Sequence, residues 1–190
     1  MPEELNFIGS GAFLGCSSLR RMEIPFGLLE VRDDTFRQCN SLKSVILSTS
    51  VEHLGTYVFA NCENLTEVKL RNENITIGER CFSGCTKLLT VGPLNGGYNI
   101  EYAWKYKIPD SAFSCSGSAA DATIVSVVLS DTITEIGDSA FSSQQYLTDI
   151  NLPVGLVIIG DSAFRDCASL KTFIWTNAVE KQMRLGKSAL

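Results

Sequence analysis

The sequence predicts a β-rich α/β repeat solenoid: about eight stacked coils, one continuous parallel sheet, and short helical turns and loops on the opposite side. Three observations carry that expectation. Phenylalanines recur at a fixed spacing, an apolar template repeats around each of them, and no single unit is long enough to close a core by itself.

The spacing comes first. Phe13, Phe36, Phe59 and Phe82 lie 23 residues apart, followed by steps of 31 to Phe113, 28 to Phe141 and 23 to Phe164. A last unit starts at Leu185 and places Leu190 where the aromatic belongs. Around each ring runs the template Ile-Gly-x-x-Ala-Phe-x-x-Cys-x-x-Leu-x-x-Val-x-Leu-Pro. Ile8, Gly9, Ala12, Phe13, Cys16, Leu19, Met22, Ile24 and Pro25 fit it, as do Ile159, Gly160, Ala163, Phe164, Cys167, Leu170 and Phe173.

Each part of the template has a physical expectation. The glycine suits a tight corner because it tolerates positive φ. The Ala-Phe segment is long enough for one helical turn, with ring stacked on ring along the inside. The Leu-x-x-Val-x-Leu stretch puts two apolar residues at i and i+2, on one face of a short strand. Stacked coils add parallel strands about 4.8 Å apart, so the rod is roughly 40 Å long. Arg32 and Pro109 replace the glycine, and Gln144 replaces the cysteine, at corners that tolerate change.

The Ile-Gly-x-x-Ala-Phe-x-x-Cys core resembles the BspA-like class of leucine-rich repeats, and the resemblance spans essentially the whole chain. It implies a right-handed leucine-rich-repeat solenoid. It also implies a place at the cell surface or in secretion, and roles in adhesion and protein binding more often than enzymology.

The repeat is interrupted twice, near 92–107 and 116–121. The first insertion holds Tyr98, Tyr102, Trp104 and Tyr106, which could anchor a partner as a binding loop. The alternation from Tyr102 to Ile108 is equally that of a strand packed against the solenoid. Repeat sequence begins by Leu5 and stops mid-unit at Leu190, so the single domain 1–190 is expected to be an uncapped piece of a longer protein. Uncapped coils would favour end-to-end self-association.

Composition narrows the partners. Sixteen basic and 21 acidic residues give a net charge of −5, with no basic stripe for nucleic acid. No apolar run approaches membrane-spanning length, and the N-terminus has no signal-peptide pattern.

Chemistry is sparse. Seven cysteines recur about once per coil, which fits small buried hydrophobes better than disulfides or zinc. His53 is the one histidine, so any thiol-dependent catalysis would have to use it. Asp110, Asp138 and Asp161 precede Ser-Ala-Phe and are expected to act as turn or N-cap residues. No catalytic, cofactor-binding or metal-binding set is expected.

The alternation of each strand instead nominates an outward face: Arg21, Glu23, Ile46, Glu67, Lys69, Val128, Asp149, Asn151 and Ile174. Charges interspersed with single apolar residues suit contact with a protein or another cell-surface ligand. The leading expectation is a non-enzymatic recognition or adhesion module. A spacer displaying another domain is the alternative, and a thiol enzyme the weakest.

Overall fold

In the computed structural model the described residues are 5–72, 75–88, 90–93, 100–102, 106–115, 122, 124–175 and 184–189. Strands are numbered in chain order. Residues Arg21–Ile24 (β1), Ser44–Leu47 (β3), Glu67–Leu70 (β5) and Asp149–Leu152 (β12) alternate outward and buried positions. Period-two alternation turns the second and fourth residues inward. Pairing is parallel and advances one repeat per coil: Met22 faces Val45 and Val45 faces Val68, while Ile24 faces Leu47 and Leu47 faces Leu70. Together with Thr90–Pro93 (β7), Ile100–Tyr102 (β8), Ser126–Val128 (β10) and Thr172–Trp175 (β14), these strands form one sheet in the order β1-β3-β5-β8-β7-β10-β12-β14.

A second side carries two-residue strands. Glu30–Val31 (β2), His53–Leu54 (β4) and Thr76–Ile77 (β6) form one sheet, and Lys107–Ile108 (β9), Glu135–Ile136 (β11), Ile158–Ile159 (β13) and Arg184–Leu185 (β15) form another.

On the third side the rings stack as expected. Phe13, Phe36, Phe59, Phe82, Phe113, Phe141 and Phe164 follow one another with centroids 5.1 to 5.8 Å apart and planes within 12° of parallel. The backbone beneath them differs from expectation. There is no helix among the described residues; the segment is a series of tight turns. The residue two before each ring is left-handed: Gly11, Asp34, Tyr57, Arg80, Ser111, Ser139 and Ser162. In six coils the residue two after the ring is left-handed as well, as at Gln38 and Asn61. A right-handed helix cannot propagate through such positions. Alternate amides instead leave the coil, so Phe36 N–H donates to Val58 O at 2.9 Å and Phe59 N–H to Cys81 O at 2.9 Å. These intercoil bonds offset the strain of placing non-glycine residues at positive φ.

The corner glycine also has a different reason from the one expected. Gly55 is not in the left-handed region; a Cβ there would lie 2.6 Å from Asp33 N and against the Asp33 carboxylate. At Gly137 the same atom would lie 2.7 Å from Asp110 N. What is required is close approach of neighbouring coils. The aspartates expected at a helical N-cap bridge coils instead: Asp110 accepts from Asp138 N–H at 3.1 Å, Asp138 from Asp161 N–H at 2.7 Å and Asp161 from Lys187 N–H at 2.7 Å, as Asp33 does from Thr56 N–H at 2.7 Å.

The first insertion supplies β8, and this strand enters the main sheet between β5 and β7. Ile100 pairs with both Val68 and Val91, and Glu101 with Lys69 and Gly92. The strand expected from the alternation ran from Tyr102 to Ile108; β8 lies at 100–102 and shares only Tyr102 with it, and 103–105 lie outside the described residues. The sheet side gains one spacing, about 4.8 Å, while the Phe59 and Phe82 rings stay 5.6 Å apart. The coils open there like a wedge, and the narrow side sheet is interrupted between β6 and β9.

Candidate interaction face

Two outward rows run across the N-terminal coils: Arg21, Ser44 and Glu67, then Glu23, Ile46 and Lys69. Arg21 and Glu23 are exposed, and Ile46, Glu67 and Lys69 are half-buried. Lys69 Nζ pairs with Glu67 within its own strand at 3.2 Å. Beyond the insertion the rows continue through Ser126, Asp149 and Thr172, and through Val128, Asn151 and Ile174.

The two stretches are not equivalent. Asn151 has the outward position of a recognition residue, yet its side-chain amide is spent on the backbone of the coil before it. Its Oδ1 accepts from Leu129 N–H at 2.5 Å and its Nδ2 donates to Leu129 O at 3.0 Å. An amide side chain matches the donor and acceptor of a backbone unit, so Asn151 clamps the coil before it. Asp149 accepts from the Thr148 hydroxyl at 2.7 Å. Ile174 joins the face through its backbone, pairing with Asn151.

At the N-terminal end the face borders a groove of about 420 Å³ past the carboxyl ends of β1 and β3. Glu23, Pro25, Phe26, Ile46, Ser48 and Arg71 line it. The Phe26 side chain stands 74% exposed at the tip of the turn between β1 and β2. That turn is held by the next coil: Gly27 N–H donates to Ser50 Oγ at 3.1 Å, and Ser50 Oγ to Leu28 O at 2.8 Å. Phe26 and Arg71 were not foreseen. Both fall in the variable link after the strand, where the template assigns no residue; the available signal was a large aromatic with no inward position to fill.

The aromatic insertion divides. Tyr98 and Trp104 lie outside the described residues. Tyr102 belongs to β8, its backbone paired with Pro93. Tyr106 is exposed, and its carbonyl accepts from Thr134 N–H at 2.7 Å and Glu135 N–H at 3.1 Å.

The thiols form a second ladder, facing inward. Cys39, Cys62 and Cys85 each donate to the carbonyl of the phenylalanine one coil back, at 3.1 Å, and Cys167 does so to Phe141 O at 3.2 Å. Gln144 stands at this position in its own coil and makes the same bond, its Nε2 donating to Phe113 O at 2.7 Å. The hydrogen bond to Cys39 and burial hold the Cys62 thiol far above the ordinary range. Burial, with a smaller push from Cys115 and Asp166 respectively, raises Cys85 to about 12 and Cys167 to about 11. All seven cysteines are free thiols. His53 Nδ1 lies 2.6 Å from Thr76 Oγ1 on an exposed edge, and no hydrogen bond joins it to a thiol among the described residues. Nor do the described residues hold a cluster of three potential metal ligands or a helix able to cross a membrane.

Comparison with known proteins agrees with this geometry. A family model described as a BspA type leucine rich repeat region matches residues 1–104 and 106–184 in six copies. The chain is similar to the crystal structure of a leucine rich repeat protein of T. pallidum, with 27% identity and a TM-score of 0.69 over 88% of this chain and 73% of that one. It also aligns with a leucine rich cell surface protein of Faecalibacterium prausnitzii at 21% identity and a TM-score of 0.46, over 89% of this chain and 63% of that one. No curated protein matches. The match over nearly the full length, together with the ring and thiol ladders, shows that the chain belongs to the BspA-type leucine-rich repeat family.

Proposed function

We propose that the chain is a non-enzymatic recognition module that holds another protein against the outward face of the main sheet, at a cell surface. One observation carries the reading: a rigid, in-register set of strands presents Arg21, Glu23 and Ile46 outward beside the exposed Phe26 ring. A surface already ordered in the free protein loses little conformational entropy on binding. An exposed aromatic flanked by charges has the makeup of a contact centre. The Cys62, Cys85 and Cys167 thiols, in contrast, are turned to backbone carbonyls and raised in pKa, which suits packing rather than nucleophilic attack. The cell-surface setting follows from the BspA-type resemblance.

The test is capture of surface-labelled proteins from the organism that encodes the chain, on immobilised wild type and on an Ile46→Lys, Val128→Lys variant. Loss of the captured proteins in a variant that keeps its melting temperature is expected. Undiminished capture would remove the sheet face from the account.

A further inference from the structure

We propose that the groove past β1, β3 and β5 binds a short extended peptide presenting a cationic side chain, an apolar side chain and a carboxylate in succession. The proposal rests on the recognition reading above and adds the class of ligand. Its basis is charge placement. Glu23 and Arg71 both line the groove, and neither belongs to an ion pair among the described residues. Glu23 sits on β1, and Arg71 directly follows β5, two strands away. Glu23 is in register with Lys69, two residues before Arg71. The two positions thus lie two strand spacings apart across the sheet and two residues apart along it, about 12 Å in all, the length of about three to four residues of extended chain. A ligand cation over Glu23 and a ligand carboxylate over Arg71 therefore fall at the two ends of one short segment.

The surface between them mixes apolar and polar groups: Pro25, Ile46 and the Phe26 ring line it beside Ser48 and Thr49. The Phe26 turn is fixed in advance, because Ser50 ties it to the next coil. Of the two lining hydroxyls, that of Ser48 is already used: Ser48 Oγ donates to Pro25 O at 2.9 Å and contacts Ser50 Oγ at 2.9 Å. A phosphate would meet one arginine with a glutamate nearby, on a chain of net charge −5. A purely apolar ligand would dehydrate both charges without pairing either. A dipolar peptide satisfies all three parts.

The experiment is a methyl NMR titration of the intact chain with three end-blocked peptides. Each has leucine between two charged residues three positions apart: lysine with glutamate, lysine with lysine, or glutamate with glutamate. The mixed peptide is expected to move the Ile46 methyl resonances and to bind about tenfold tighter than the other two. In Arg71→Glu the order should change, with the dilysine peptide becoming the tightest binder. Such a gain cannot arise from partial unfolding. Equal binding of the three peptides, an unchanged order in Arg71→Glu, or shifts at Val128 in place of Ile46 would overturn the proposal. If no peptide binds while the face variant still loses surface-protein capture, the groove falls and the recognition function stands. Loss of both results would remove both.

Discussion

The coils from Phe13 to Phe82 and those from Phe82 to Phe141 solve the same packing problem with different lengths of chain. In the first stretch every step is 23 residues, and the thiols of Cys39, Cys62 and Cys85 reach the preceding phenylalanine carbonyl at one distance, 3.1 Å. In the second the steps are 31 and 28 residues, an extra strand enters the main sheet, and the narrow sheet is broken. The ring ladder nevertheless runs straight through: Phe82 and Phe113 stack at 5.8 Å and 12°, the widest spacing in the series and still a stack. The solenoid tolerates added length wherever the chain lies outside this ladder. It keeps the rings in contact and the carbonyls beside them bonded.

The largest effect tests the continuity of the ladder. Phe59 and Phe113 are both fully buried, Phe59 in the regular stretch and Phe113 beside the broken sheet. Removing a buried ring takes away its transfer free energy and leaves a cavity. Phe59→Ala and Phe113→Ala should each lower unfolding free energy by about 3–5 kcal/mol in urea titrations. A loss below about 1 kcal/mol at Phe113 alone would mean that the two stretches are separate stacks.

A smaller effect probes the substitution that accommodates the second expansion. Gln144 makes buried bonds to Phe113 O at 2.7 Å and to Cys115 Sγ at 3.0 Å, and accepts one from Ile124 N–H at 3.1 Å. Gln144→Leu removes the amide partner of both backbone groups in the interior and should cost about 2–3 kcal/mol. Cys62→Ala gives up only weak thiol bonds, to Phe36 O and with Cys39, and should cost about 1 kcal/mol by that measure. Equal costs at the two positions, read from melting curves, would erase the distinction drawn between the stretches.

Much of this was legible in the sequence, for a physical reason. Side chains that touch their own copies one coil away must repeat, so the ring ladder, the inward cysteines and the alternating strands all leave a periodic trace. Backbone geometry leaves a weaker one. Left-handed φ falls on residues as different as Tyr57, Arg80 and Ser139, so no residue type marks the turn, and a helical segment was a natural misreading. The insertion was located by its length, and one of its two readings was a strand. Its seat between β5 and β7 was hidden, because a parallel neighbour out of chain order has no sequence signature. Phe26 and Arg71 escaped notice because a residue without a periodic counterpart is invisible to a template. Asn151 shows the converse: outward position suggested recognition, while its amide was already committed to Leu129.

The smallest effect concerns the thiol ladder at alkaline pH, and its sign follows from linkage. Cys85 is raised from 9.0 to about 12 and Cys167 from 9.0 to about 11. A raised folded-state pKa means that the native state holds the proton more tightly than the unfolded chain. The resulting stabilisation is fully present below about pH 9. Above it the unfolded thiols ionise while the native ones do not, so stability falls until the folded pKa is passed. Each such thiol should steepen the decline by at most about 1.4 kcal/mol per pH unit. For Cys167 the decline ends near pH 11, and for Cys85 near pH 12. Cys85→Ala, compared with wild type by urea unfolding between about pH 9 and 11, should therefore show a shallower alkaline slope even if its stability at neutral pH is lower. Identical slopes would mean that the Cys85 thiol ionises as readily in the coil as in the unfolded chain, and that the regular stretch does not seal its thiols from water.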